Sequence, residues 1–182
     1  MADTFLKNKG DYRSLIVYKK AECIYDITYF FAHKFLAKSD RTIDQMVQAA
    51  RSGKQNIAEG SSASVTSTET ELKLMNVARA SFQELLADYE DYLRVRGKSI
   101  WELDDERSKR TRKVGTERND SAFYRNAVAH CSDETVANIA ITLIHQEDVM
   151  LSRLIDRIQK DFVENGGIRE QMHEARTKFR GH

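Results

Sequence analysis

The chain contains no proline in its 182 residues. Average usage of about 5% would supply roughly nine. Proline breaks helix interiors and punctuates loops, so its absence favours long helices joined by short or polar connections. Cysteine is scarce as well. Cys23 and Cys131 lie far apart without metal-ligand spacing, and read as buried free thiols in a cytoplasmic protein. An excess of one charge is also missing, since 29 basic and 28 acidic residues leave a formal net charge of +1. The balance is flat by region: 14 basic against 13 acidic residues in 1–97, 7 against 6 in 98–120, and 8 against 9 in 121–182. Bulk electrostatics do not announce a nucleic-acid binder, which leaves only a local patch for that role. No apolar run approaches the roughly 20 residues that cross a bilayer, so no membrane partner is expected. Met1-Ala2-Asp3-Thr4 lacks the basic-then-apolar pattern of a secretory leader.

Assembled catalytic patterns are missing too. Cys131 adjoins His130, but neighbours on a helix point about 100° apart, and no Ser-His-Asp arrangement is placed. Gly53-Lys54 lies in a helical pattern and lacks the first glycine of a phosphate-binding loop. Di-iron bundle sites need two Glu-x-x-His motifs and two further glutamates, whereas Glu170–His173 is the one such motif here. His145, Glu147 and Asp148 interrupt an apolar stripe and read as a polar layer that sets helix register. The expectation is a non-enzymatic protein without metal or cofactor.

What is present is helical periodicity. Val17, Ala21, Ile24, Thr28, Phe31 and Phe35 recur at alternating four-and-three spacing, with Ile16, Cys23, Ile27 and Phe30 beside them. That predicts a core-facing helix over about 12–37, capped by Asp11 or Ser14. After a break at Lys38-Ser39-Asp40, a second helix carries Ile43, Met46, Val47, Ala50 and Ile57, with Gly60 placed to end it. A third begins near Thr66–Thr68, where Thr68-x-x-Glu71 reads as a capping box. It carries Leu72, Met75, Phe82, Leu86, Tyr89 and Leu93, and stops at Gly97. Residues 98–132 form a charged insert: a short helix near Ile100–Arg110, an irregular stretch around Gly115, and a short helix capped by Asn119 or Asp120. The last long helix spans about 133–164, with Ser132 as its cap and Asn165-Gly166-Gly167 as its stop. Its stripe is Val136, Ile139, Ala140, Leu143, Met150, Leu151, Leu154, Ile158 and Phe162. A polar tail covers 165–182, as a short peripheral helix or partly disordered. The whole reads as a single all-α domain: an antiparallel up-down four-helix bundle with a charged insert before the last long helix and a C-terminal extension.

Three groups of residues stand out. Arg107, Lys109, Arg110, Arg112 and Lys113 place five positive charges in seven residues, a patch suited to phosphate. Trp101 and Tyr124 flank it and can stack on bases. Glu102, Asp104, Asp105 and Glu106 precede it, and Asp105–Lys109 and Glu106–Arg110 are pairs four apart that instead make a salt-bridged solvated surface. Arg51, Asn56 and Glu59 run along the end of the second helix, with Gly60 after them. They read as a hydrogen-bonded helix terminus, a subunit contact or a ligand contact. Tyr18, Tyr25 and Tyr29 exceed what one buried face of the first helix needs. Aromatic residues are enriched at interfaces, so these three are candidates for a subunit contact.

The segment from Ala49 to Gly60, ending in Asn56-Ile57-Ala58-Glu59-Gly60, is preceded by Arg41-Thr42-Ile43-Asp44-Gln45-Met46. It resembles the second helix of the four-helix-bundle family typified by the 23S rRNA intervening-sequence protein. Ala78-Arg79-Ala80-Ser81-Phe82-Gln83-Glu84-Leu85 is similar to that family's third helix. Ala137 to Gln146, Lys160-Asp161-Phe162 and Gly166 to Glu170 resemble a C-terminal suffix found in some members. The resemblance implies a homo-oligomeric ring, typically a pentamer, with no catalytic activity. It also implies two settings: inserts in ribosomal RNA genes, or diversity-generating retroelements. In the latter, an accessory protein binds RNA or DNA and a reverse transcriptase.

Overall fold

The apolar stripes read from the sequence become buried helix faces in the computed structural model, which describes residues 11–180. A short 3-10 turn at Tyr12–Ser14 leads into α1 (Ile16–Phe35), α2 (Thr42–Ala63) and α3 (Thr68–Val95). Then come α4 (Glu106–Glu117), α5 (Ser121–Val128), α6 (Asp133–Asn165) and α7 (Ile168–Arg180). The described residues are all-helical in architecture, with no strand among them. No described helix is long and apolar enough to cross a membrane.

Contacts run in a closed cycle: α1 packs on α2, α2 on α3, α3 on α6, and α6 on α1. The insert contributes α4, which lies against α6, and α5, which lies against α1. At the centre, the Phe31 ring sits 4.9 Å from Tyr89 and 4.8 Å from Tyr92, centroid to centroid. Tyr89 is fully buried and donates its hydroxyl to Thr28 Oγ1 at 3.0 Å. That bond explains why a threonine occupies the core stripe of α1, because a buried hydroxyl without a partner is costly. Two stripe positions lie outside the core: Ile16 and Phe162 are exposed.

Two glycines let α2 and α3 approach closely. A Cβ on Gly53 would lie 2.6 Å from Phe82 Cζ, and one on Gly60 would lie 3.1 Å from Met75 Cε. Gly60 therefore does not end α2, which continues to Ala63. Its role is packing rather than a left-handed turn. Positive φ angles occur at Gly97 (62°) and Gly166 (69°), the stops of α3 and α6.

The caps also differ in detail from the periodicity reading. Ser67, not Thr68, caps α3 by accepting from Thr70 N at 3.1 Å. Asp11 caps the 3-10 turn, and α1 follows without a side-chain cap. Asp40, Asp120 and Ser132 accept from Thr42 N, Ala122 N and Thr135 N in the first turns of α2, α5 and α6. The insert's first helix is shifted: it starts at Glu106 rather than near Ile100, because Asp105 supplies the cap, and it runs through Gly115. Within the tail, Ile168–Arg180 form α7, residues 181–182 lying outside the described residues; Glu170 Oε2 accepts from Gly167 N at 2.6 Å and Glu170 N donates to Gly167 O.

Candidate functional site

The basic cluster lies on α4, and its own neighbours neutralise much of it. Asp105 caps the helix by accepting from Arg107 N at 2.8 Å, and its carboxylate also takes the Arg107 guanidinium at 2.6 Å. The hydrogen bonds from Arg107 hold the Asp105 carboxyl below its usual range. Lys109 pairs with Glu106 at 2.7 Å. Arg112 donates to Ser108 Oγ and to Leu103 O, both at 2.6 Å. The four-apart pairs expected from sequence are replaced by these. Asp105 stands just before the helix, where its side chain is occupied by the cap and by Arg107, and Glu106 is taken by Lys109, one residue nearer than Arg110. Arg110 and Lys113 remain exposed, without an ion pair among the described residues.

Of the two flanking aromatic rings, one has a cation against it and the other is buried. The Arg107 guanidinium lies 4.9 Å from the Trp101 ring centroid. Tyr124 is buried, donates to Arg118 O at 3.3 Å, and has its pKa pushed up by that burial.

At the end of α2, Asn56 and Glu59 bond to side chains and backbone of their own helix. Asn56 donates to Ser52 O at 2.8 Å and to Ser52 Oγ at 3.2 Å. Glu59 accepts from Gln55 at 3.2 Å. Ser52 in turn meets Ser81 of α3 at 3.0 Å. Arg51 stays exposed and is not drawn into this group. Hydrogen bonds thus tie down Asn56 and Glu59, and the closely packed Gly60 lies beyond them.

The three tyrosines of α1 divide. Tyr18 is half-buried against Tyr12, edge-on at 4.8 Å, and burial raises its pKa. Tyr25 is half-buried under the Lys54 ammonium, 4.4 Å from the ring centroid. Tyr29 is 50% exposed and stacks on His33 at 4.1 Å. Tyr25, Tyr29, Phe30 and His33 line one shallow groove of about 610 Å³, closed on one side by Arg125 of α5. Arg125 is held there by Asp26 at 2.6 Å, while Asp26 also accepts from Ser121.

The polar layer of α6 separates into three environments. Asp148 takes Arg79 at 2.7 Å and Gln83 at 2.9 Å, and the Arg79 bond holds its carboxyl below the usual range. His145 is exposed. Glu147 is fully buried, with neither carboxylate oxygen hydrogen-bonded. Burial raises its pKa well above the ordinary 4.5, against the opposing charge of Lys20.

Lys20 had not stood out in the sequence. It is only 2% exposed, and donates to Gly115 O at 2.5 Å and to Gln146 Oε1 at 3.3 Å. Gln146 completes the link by donating to Arg112 O at 2.8 Å. Burial lowers the Lys20 pKa, and the Glu147 charge opposes that. The signal was its spacing: Lys20 falls within the Val17, Ala21, Ile24 stripe and so faces inward. Gly115 is buried because Gln146 and Leu143 occupy the place of a Cβ.

Both thiols are free; Cys23 is buried, which pushes its thiol up to about 12, whereas Cys131, expected to be buried, is only half-buried at the end of the insert. No group of three or more His, Cys, Asp or Glu among the described residues is placed to hold a metal ion. In comparisons with protein-family models, curated proteins and solved structures, nothing matches this chain.

Proposed function

We propose that this chain is a non-enzymatic, homo-oligomeric assembly or adaptor protein built on an antiparallel four-helix bundle of α1, α2, α3 and α6. The closed cycle of contacts and the short connections among the first three helices support the bundle reading. The residues 98–132 are then an insert on its outside, and α7 a C-terminal extension. The resemblance to the intervening-sequence family supports a ring, with five copies as its typical form.

One observation carries self-association. Tyr29 is half-exposed on α1, stacked on His33, in a groove shared with Tyr25 and Phe30. Amphipathic rings held in place lose little entropy on binding and are enriched at protein contacts. Lys34 and Arg125 border the same groove, giving it the polar rim of a subunit contact. Light scattering of Tyr29→Asp beside the wild type tests this. The variant, whose exposed site leaves the core intact, is expected to shift to lower mass with an unchanged helical circular-dichroism spectrum. An unchanged mass would remove Tyr29 from the contact.

A second reading, nucleic-acid binding as an accessory to a reverse transcriptase, is favoured by Arg110 and Lys113. They are exposed, without an ion pair among the described residues, and three residues apart on one edge of α4. Copies around a ring would multiply that edge. Binding to a structured RNA should weaken steeply with salt and disappear in Arg110→Glu/Lys113→Glu. Absence of binding at low salt would end this reading.

A further inference from the structure

We propose that the groove between residues 100–103, α4 and α6 binds a small amphipathic carboxylate, with Lys20 at its floor. The cavity has a volume of about 800 Å³, within the roughly 300–1,000 Å³ of small-molecule sites. Four large apolar side chains that stand exposed on this chain line it together: Ile16 (59%), Ile100 (44%), Leu103 (77%) and Val149 (47%). Trp101 and Met150 add to the same wall. Apolar surface gathered in a concavity, rather than scattered singly, marks a binding site.

Charge decides the head group. Lys20, Arg112 and Arg153 line the groove with His145, against Glu102 as the one acidic side chain. Lys20 is almost wholly buried, and both of its hydrogen-bond partners, Gly115 O and Gln146 Oε1, are neutral. An ammonium carries three donors, so one is left for a ligand. Arg153 is exposed at the rim without an ion pair among the described residues. A carboxylate in the groove gives Lys20 a hydrogen-bonded counter-charge, which Glu147 does not, because it acts on Lys20 through space and bonds to nothing; an alkyl or aryl body covers the apolar wall. The Trp101 indole Nε1 is sealed from solvent and has no acceptor, which leaves a further polar group in that wall unsatisfied.

Trp101 is the only tryptophan, so its fluorescence reports on this wall alone. The full chain is titrated with decanoate, and with decylamine as the cation of matched length. A saturable change with decanoate, at least tenfold weaker with decylamine, is expected. Val149→Glu at the exposed rim and Lys20→Met at the floor should each weaken decanoate at least tenfold. The rim variant keeps the test valid if the floor variant fails to fold. No saturable change, equal affinity for both probes, or unaltered decanoate affinity in Val149→Glu overturns the proposal. A Val149→Glu variant that changes the sedimenting mass while decanoate affinity stays constant assigns the groove to a subunit contact instead, and also overturns it.

Discussion

Glu147→Gln isolates the least comfortable group in the core. Glu147 is 0% exposed and neither of its oxygens has a hydrogen-bond partner. Burial holds its pKa well above 4.5, while Lys20 pulls the other way. Below pH of about 4.5 the folded and unfolded chains both keep the proton, so the group adds no pH dependence. Above that, the unfolded chain releases the proton and the folded chain retains it. Stability then falls as pH rises, by up to about 1.4 kcal/mol per pH unit, until the pH reaches the folded-state pKa. From about pH 5.5 towards neutrality the wild type should lose stability through this one group. Glutamine cannot titrate, so the variant lacks that slope. Its buried amide brings a constant cost of about 1–3 kcal/mol, which offsets the curve without tilting it. Urea unfolding of both proteins across that range reads the difference. The gap between variant and wild type should move in the variant's favour with rising pH. Parallel curves would refute the buried-acid reading, because they would mean that the carboxyl ionises in the folded chain as it does in the unfolded one.

Three further perturbations follow from the packing and hydrogen bonds. Gly53→Ala brings a Cβ to 2.6 Å from the buried Phe82 ring; overpacking costs about 1–3 kcal/mol against about 1 kcal/mol of helix propensity gained, so the urea midpoint should fall, and a rise would contradict the close approach. Asn138→Ala removes the acceptor for Trp101 N and the donor to Ser99 O; Trp101 emission should shift to the red with about 1–3 kcal/mol of lost stability, and an unshifted spectrum would mean that Asn138 does not hold this segment. Asp148→Asn weakens the pairing with Arg79, whose side chain is 44% exposed, so the loss at neutral pH should be about 1 kcal/mol or less. Because the Asp148 pKa is depressed, its contribution is present above the unfolded value of 3.8 and fades as pH falls through the folded value. Stability curves of wild type and variant should therefore converge in acid, and a constant gap would contradict the pairing.

The long helices were legible because each buries a stripe at helical spacing, and their stops at Gly97 and Gly166 because the backbone there needs positive φ. Gly60 and Gly115 were misread for one reason. A glycine marks either a turn or a close approach, and only the neighbours Met75 and Gln146, remote in sequence, decide which. The 107–113 cluster was legible as charge, but not as partners. Asp105 capping α4, and Arg112 reaching back to Leu103 O, depend on where that helix starts. The α1 tyrosines were found by counting apolar positions, yet their separation into Tyr18 against Tyr12 and Tyr29 against His33 is a matter of tertiary placement. Lys20 was passed over because a lysine in an apolar stripe reads as a surface residue until its partners on α4 and α6 are seen.

Self-association is the central claim, and sedimentation equilibrium of the wild-type chain across a range of concentrations tests it most directly. The account predicts one assembled species at a whole multiple of the 21.0 kDa chain, five-fold if the ring has its typical form. A single species of 21.0 kDa at every concentration would contradict it.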